Sequence, residues 1–166
     1  MKRVIAMATV AALGLALQTT AAQKKGGNMP HRATGTFEVK VEPIPDESKG
    51  NRPSFPRFTL DKQYRGDLEG TSQGEMMTAS GTMEGSAAAV AIEHFSGSLN
   101  GRKGSFALVH SATMRRGGEY MMIIRVVPDS GTEQLAGLAG TLEIIIEGKE
   151  HHYNFDFSLP EFSAPS

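Results

Sequence analysis

Three ionisable residues stand where the alternation of their segments places apolar side chains. His110 falls in step with Phe106 and Leu108, and Glu93 and Glu75 fall in step with apolar residues of their own segments. Burial raises the pKa of a carboxyl group, and a carboxyl group beside a histidine can act as a general acid or base. The sequence therefore predicts Glu75, Glu93 and His110 as candidate catalytic residues, provided that all three point into one interior.

Two other interpretations of these residues stay open at the level of sequence. His110 fits equally well as a core histidine with a satisfied hydrogen bond. The segment that carries Glu93 can also face the other way, which would bury Val90 and Ile92 and leave Glu93 in water.

Known catalytic and cofactor motifs are missing from the chain. There is no cysteine, no Gly-x-Ser-x-Gly elbow, no phosphate loop and no dinucleotide fingerprint, so we expect no cofactor. The adjacent pair His151 and His152 would lie on opposite faces of a strand, so the two cannot chelate one ion, and we expect no metal site. A formal net charge of −1 lacks the basic footprint that nucleic acid or an anionic membrane requires.

The elements that would position these residues are strands. Apolar and polar residues alternate with a period of two in about eight segments between residues 33 and 160, and no segment has a helical period. Tight-turn residues join most of them, and Asn100-Gly101 is the strongest hairpin signal. An antiparallel meander of eight strands removes its two free edges by closing, so we predict an all-β, up-and-down barrel, with a β-sandwich as the alternative.

Small residues in the fourth predicted strand indicate space inside this barrel. Ala87, Ala88, Ala89 and Ala91 stand where bulky side chains would otherwise fill an eight-stranded interior. We therefore expect a non-enzymatic barrel that binds a small apolar or amphipathic ligand. The candidate ligand contacts are Tyr64, Ala91, Tyr120 and Asp129.

Two alternatives to ligand binding remain. One is an enzyme of the isomerase or cyclase type that uses Glu75, Glu93 and His110. The other is a structural or interaction module with a packed interior. The sequence identifies neither a reaction nor an oligomeric state.

The N-terminus has the pattern of a cleavable secretion signal. Lys2 and Arg3 precede an uncharged apolar run over residues 4–17, and small residues follow up to Ala22. The run is shorter than the roughly 20 residues that a spanning helix needs. We expect cleavage near Ala22, an exported periplasmic or extracellular protein without a membrane span, a flexible leader over 23–32, one barrel domain over 33–160 and a tail over 161–166.

Several segments resemble a bacterial family of proteins without assigned activity, domain-of-unknown-function family 3224. The most specific is residues 128–141, and the others are residues 33–37, 59–63, 66–69, 74–76, 91–93, 101–106 and 110–111. The resemblance implies a small closed barrel like that of allene oxide cyclase, and it brings no catalytic assignment. Residues 87–89 depart from the family pattern, which has a larger aromatic residue there, and the secretion signal departs from its many cytoplasmic members.

Overall fold

The structure is a computed structural model, and it describes residues 31–46 and 55–160. Eight antiparallel strands form a closed barrel in which every strand pairs with its neighbours in sequence. The strands are β1 (His31–Ile44), β2 (Arg57–Gly66), β3 (Leu68–Ser80), β4 (Ala87–Leu99), β5 (Arg102–Arg115), β6 (Glu119–Val126), β7 (Ala139–Glu147) and β8 (Glu150–Ser158).

Closure is achieved by β1, which pairs with β2 on one side and with β8 on the other. The predicted up-and-down barrel is thereby confirmed, and the alternative β-sandwich is wrong. Asn100 and Gly101 have φ angles of 50° and 77°, as the predicted two-residue hairpin requires.

The first three strands differ from the predicted boundaries. β1 begins at His31, so the last two residues of the predicted leader belong to the barrel. Alternation predicts the second strand over residues 57 to about 68 and the third over about 72 to 83, with the turn at Gly66-Asp67 or at Glu69-Gly70. The structure has the turn at Gly66, with a φ of 113°, so β2 is shorter than predicted and β3 begins earlier, at Leu68. The predicted signal, the rest of the leader and the tail lie outside the described residues. None of the helices in the described part is long and apolar enough to cross a membrane.

One end of the barrel, here called the closed end, is filled. It is the end at which β2–β3, β4–β5 and β6–β7 are connected, and a short 3-10 turn (Glu133–Leu135) in the last connection places Leu135 and Leu138 over it. Buried aromatic rings fill the interior below this cover and contact one another in a chain. They are Phe37, Tyr64, Phe95, Phe106, Tyr153, Phe155 and Phe157.

The opposite end, here called the open end, is lined by apolar residues that stay accessible. Strand register places five of them on the same inward face as the buried core, yet each is between 37% and 64% exposed. They are Val41, Met114, Tyr120, Met122 and Ile146. The barrel is therefore packed at one end and keeps inward-facing apolar side chains accessible at the other.

Candidate functional site

A buried cluster of polar side chains lies between the aromatic core and the open end. The Glu93 carboxylate accepts hydrogen bonds at Oε1 from Lys62 Nζ, at 2.7 Å, and from His110 Nε2, at 2.6 Å. Its other oxygen, Oε2, accepts the Ser72 hydroxyl at 2.7 Å. The Glu93 side chain is 0% exposed, that of Lys62 4% and that of His110 10%. This arrangement, here called the Glu93 cluster, is a fully desolvated ion pair with a histidine attached.

Strand register brings these four residues together from four adjacent strands. Lys62 on β2 lies opposite Ser72 on β3, and Gly74, two residues further along β3, lies opposite Glu93 on β4. A Cβ atom at Gly74 would lie 2.6 Å from the Cα and Cβ atoms of Glu93. The absence of a side chain at residue 74 therefore gives Glu93 its place against the barrel wall.

Glu93 is ionised over nearly the whole pH range. Burial acts to raise its pKa, but the hydrogen bond from His110 and the charge of Lys62 outweigh burial and lower the pKa to about 2. The Lys62 ammonium also lies 5.0 Å from the centre of the Phe37 ring. Every charge in the cluster thus has a partner inside the protein.

The tautomer of neutral His110 follows from these contacts. Because the ionised Glu93 can only accept a hydrogen bond, His110 Nε2 must carry the proton. The second ring nitrogen, Nδ1, then presents a lone pair. Among the described residues Nδ1 has no hydrogen-bond partner, and it is not one of the fully enclosed unpaired polar atoms.

Small side chains surround the path from His110 to the open end. Ala91 on β4 is the direct cross-strand neighbour of His110, and the next inward pair towards the open end is Ala89 and Ala112. No bulky side chain stands at these three inward positions between His110 and the open end. Ala88, counted with them in the sequence analysis, lies on the outer face, because neighbouring residues of a strand alternate sides.

The structure brings together two of the three predicted catalytic candidates. Glu93 and His110 are both interior and hydrogen bonded, so the alternative with Val90 and Ile92 inside does not hold. Glu75 lies on the outer surface, 3.6 Å from Arg57 Nη2. Its placement inside was wrong because the two inward residues before it on β3, Ser72 and Gly74, are small, so neither face of this strand stands out as apolar.

The four predicted ligand contacts are spread over the barrel. Ala91 adjoins His110, and Tyr120 lines the open end. Tyr64 is fully buried among aromatic rings below the Glu93 cluster. Asp129, with a φ of 59°, is exposed in the β6–β7 connection at the closed end, so it does not share a site with His110.

The Tyr64 hydroxyl is a buried atom without a hydrogen-bond partner among the described residues. Burial, together with the nearby negative charge of Glu93, holds the pKa of Tyr64 well above its usual range. Tyr64 therefore remains a neutral phenol and contributes to the floor of the cluster.

The adjacent histidines take separate positions. The His151 ring packs 5.1 Å from the Phe37 ring, and His152 Nε2 lies 3.4 Å from a carboxylate oxygen of Glu150. Within residues 31–46 and 55–160, no group of three or more side chains is arranged to hold a metal ion.

Sequence reasoning missed Lys62 and Ser72 as members of the site. Lys62 interrupts the apolar face that Leu60 and Tyr64 form in the sequence. A lysine in step with inward residues is itself the signal, because a buried ammonium needs an anionic partner. Ser72 gave no such signal, since a serine is common on either face of a strand.

The comparisons with known proteins place this site in a family. The family model described as "Protein of unknown function (DUF3224)" matches residues 33–157, which include the whole Glu93 cluster. The chain belongs to this family. It is also similar to a crystal structure of a protein with unknown function from the DUF3224 family of Shewanella oneidensis MR-1. That match has 41% sequence identity and a TM-score of 0.72, and it covers 80% of this chain and 99% of that one. No curated protein matches the chain.

Proposed function

We propose that the barrel binds a small apolar or amphipathic ligand at its open end. The observation that carries this proposal is the set of inward-facing apolar side chains that stay accessible there, Met114, Tyr120 and Met122 among them. Apolar residues on an inward face are normally buried, and an accessible concave apolar surface with a few polar groups is typical of a ligand site.

The layered interior defines how such a ligand would be oriented. Its apolar part would contact the side chains of the open end, where burial contributes about 25 cal/mol per Å². Its polar part would reach the floor, where His110 is the member of the Glu93 cluster nearest to solvent. The aromatic core below leaves the closed end filled, so the ligand would enter from the open end only.

A proton-transfer enzyme is the second candidate, because Glu93 and His110 form a carboxylate–imidazole pair like those that support general bases. Lys62 weakens this candidate. It donates a hydrogen bond to the same oxygen, Oε1, and its charge lowers the pKa of Glu93, so the carboxylate is a poor proton acceptor.

Two alanine variants on adjacent residues test ligand binding at the open end. The probe is N-phenyl-1-naphthylamine, whose fluorescence rises in apolar surroundings. We expect saturable binding to the wild type and a loss of affinity of about tenfold or more in Ala89→Phe, which fills the open end. Ala88→Phe, on the outer face, is the matched control and should bind like the wild type. Binding that Ala88→Phe abolishes and Ala89→Phe leaves intact would refute the assignment.

Export belongs to the same proposal. A basic start, an apolar run and small residues up to Ala22 support a cleaved signal. Expression of the full chain in a bacterium with a periplasm should give a periplasmic protein. Its intact mass should correspond to a chain that begins near Gln23. A cytoplasmic protein that keeps residues 1–22 would contradict this part of the proposal.

A further inference from the structure

We infer that the ligand of the open end is an apolar molecule that carries a hydrogen-bond donor, such as a hydroxyl group, and that His110 Nδ1 accepts that hydrogen bond. This inference rests on the proposed function and narrows it to a class of ligand. It follows from the direction of each hydrogen bond in the Glu93 cluster.

The most exposed member of the Glu93 cluster is His110, whose Nδ1 is an unoccupied acceptor. Both carboxylate oxygens of Glu93 are already occupied by Lys62, His110 and Ser72. The lone pair on His110 Nδ1 has no partner among the described residues, and it lies beside the small Ala91. A ligand hydroxyl that reaches this nitrogen would donate a hydrogen bond to its lone pair and exclude water from it.

Other polar head groups fit this position less well. A carboxylate would set its negative charge against the Nδ1 lone pair and near the charge of Glu93. An ether oxygen would meet the lone pair with another acceptor. Because Lys62 is held by Glu93 and by the ring of Phe37, its charge is not available for an anionic head group.

Calorimetric titration at pH 8 with decanol, decyl methyl ether and decanoate tests this assignment. These three probes share the same alkyl chain and differ in the head group. We expect decanol to bind about tenfold more tightly than the ether, as one hydrogen bond to a buried acceptor allows, and decanoate to bind no more tightly than the ether.

The variant His110→Phe removes the acceptor and keeps a ring of similar size. It should bind decanol and the ether equally, with the ether affinity unchanged, and its far-ultraviolet circular dichroism should match the wild type. Equal affinities in the wild type, or a preference for decanoate, would overturn the inference and leave ligand binding intact. Failure of all three probes to bind would instead refute the proposed function.

A second inference comes from the outer surface and does not depend on the site. The outer face of β3–β6 carries six large apolar side chains, each between 41% and 62% exposed. They are Met77, Val90, Ile92, Val109, Met121 and Ile123, here called the outer patch. Register places them in adjacent rows across the four strands, so they form one continuous surface. Its area is on the order of 500 Å², near the upper end for the largest patch of a monomer.

One row of the outer patch has opposite charges at its two ends. Glu75 on β3 lies beside Ile92, Ile92 beside Val109, and Val109 beside Arg125 on β6. A two-fold axis that runs between β4 and β5, parallel to them, would place Ile92 of one copy against Val109 of the next and bring Glu75 and Arg125 of the two copies to the same edge of the interface. Arg125 forms no ion pair with any residue in the described ranges. We infer that the outer patch binds a second copy of this chain in a symmetric dimer.

Sedimentation velocity over the micromolar range tests the dimer. The wild type should dimerise, and Ile92→Lys should weaken the dimer at least about tenfold, since it places a charged side chain at the centre of the apolar contact. Thr34→Lys, on the outer face of β1 far from the patch, is the matched control and should dimerise like the wild type. A monomeric wild type, or a dimer that Ile92→Lys leaves unchanged, would overturn the second copy as the partner.

Charge reversal tests the proposed axis. Glu75→Arg and Arg125→Glu should each be monomeric, because each creates like charges at both ends of the row. A mixture of the two variants should form heterodimers, since each copy then meets an opposite charge. A mixture that stays monomeric would show that these two residues do not face each other.

Discussion

The Glu93 cluster is a costly arrangement that the fold maintains in full. Removing an ammonium and a carboxylate from water costs several kcal/mol per ion, and a well-packed apolar replacement is often as stable. The structure compensates with three hydrogen bonds to Glu93 and a cation–π contact for Lys62. Stability alone does not explain why the buried ion pair is present. Binding of the proposed ligand to the free acceptor of His110 would explain it.

Removal of the His110 ring should have a moderate effect on stability. In His110→Ala, Glu93 keeps Lys62 and Ser72, so the loss is one hydrogen bond to a charged group and some packing. We expect the free energy of unfolding to fall by about 1–3 kcal/mol, measured by urea denaturation at neutral pH. A midpoint that coincides with that of the wild type would contradict the buried position of His110.

Neutralisation of Glu93 should have a larger effect. Glu93→Gln leaves the buried Lys62 ammonium without an anionic partner, and we expect a loss of about 3–5 kcal/mol in urea denaturation. Glu69→Gln, on the outer face of β3, is the control and should stay within about 0.5 kcal/mol of the wild type. Equal effects of the two substitutions would show that Glu93 is not an essential partner of Lys62.

The free energy of unfolding at acid pH should depend on the ionisation of Glu93. Its pKa is lowered from 4.5 to about 2 in the folded chain, so its stabilising contribution is complete above pH 4.5 and is lost as the pH falls from 4.5 towards 2. The contribution is about 3 kcal/mol. The gap in unfolding free energy between the wild type and Glu93→Gln should therefore narrow over this window. A gap that stays constant down to pH 2 would contradict the lowered pKa.

At the scale of the strands, a glycine on β3 leaves the space that Glu93 occupies on β4. Gly74 lies opposite Glu93, and a Cβ atom there would overlap the Glu93 backbone at 2.6 Å. Gly74→Ala should therefore displace Glu93 and cost about 1–3 kcal/mol by overpacking. Thr71→Ala, on the outer face of the same strand, is a suitable control. Equal melting temperatures for Gly74→Ala and Thr71→Ala would mean that β4 can move away from β3 at little cost in free energy.

The sequence predicted the positions of the strands better than it predicted which face of each strand points inward. β4 and β5 have the predicted bounds, because Asn100-Gly101 fixes the hairpin between them. The interior position of Glu75 was wrong, since the inward face of β3 carries small residues, Ser72 and Gly74, where an apolar signal would be needed. Alternation identifies the inward face only where one face is clearly more apolar than the other.

Pairing across strands was beyond the reach of sequence reasoning. That Lys62 meets Glu93, and that Ser72 reaches its second oxygen, depends on the register of β2 with β3 and of β3 with β4. Register arises from the turns and the packing of the whole barrel, and no local pattern in the sequence encodes it. The sequence shows which residue types are present, but it does not show that these side chains contact one another.

At the scale of the whole molecule, the two ends of the barrel have different roles. The aromatic chain and the cover formed by Leu135 and Leu138 supply a dense core at the closed end. That core holds the strands in register and stabilises the fold without help from the open end. The open end can consequently keep its apolar lining accessible, which a uniformly packed small barrel could not.

The methionines offer a direct test of ligand binding at the open end. Met114 and Met122 face inward at the open end, and Met77 and Met121 face outward on neighbouring strands. Methyl resonances of protein labelled with ¹³C at the methionine methyl groups, followed during titration with decanol, report both faces at once. The account predicts saturable shifts of Met114 and Met122 with Met77 and Met121 unchanged. Shifts confined to the two outward methionines, or no shift at any of the four, would contradict it.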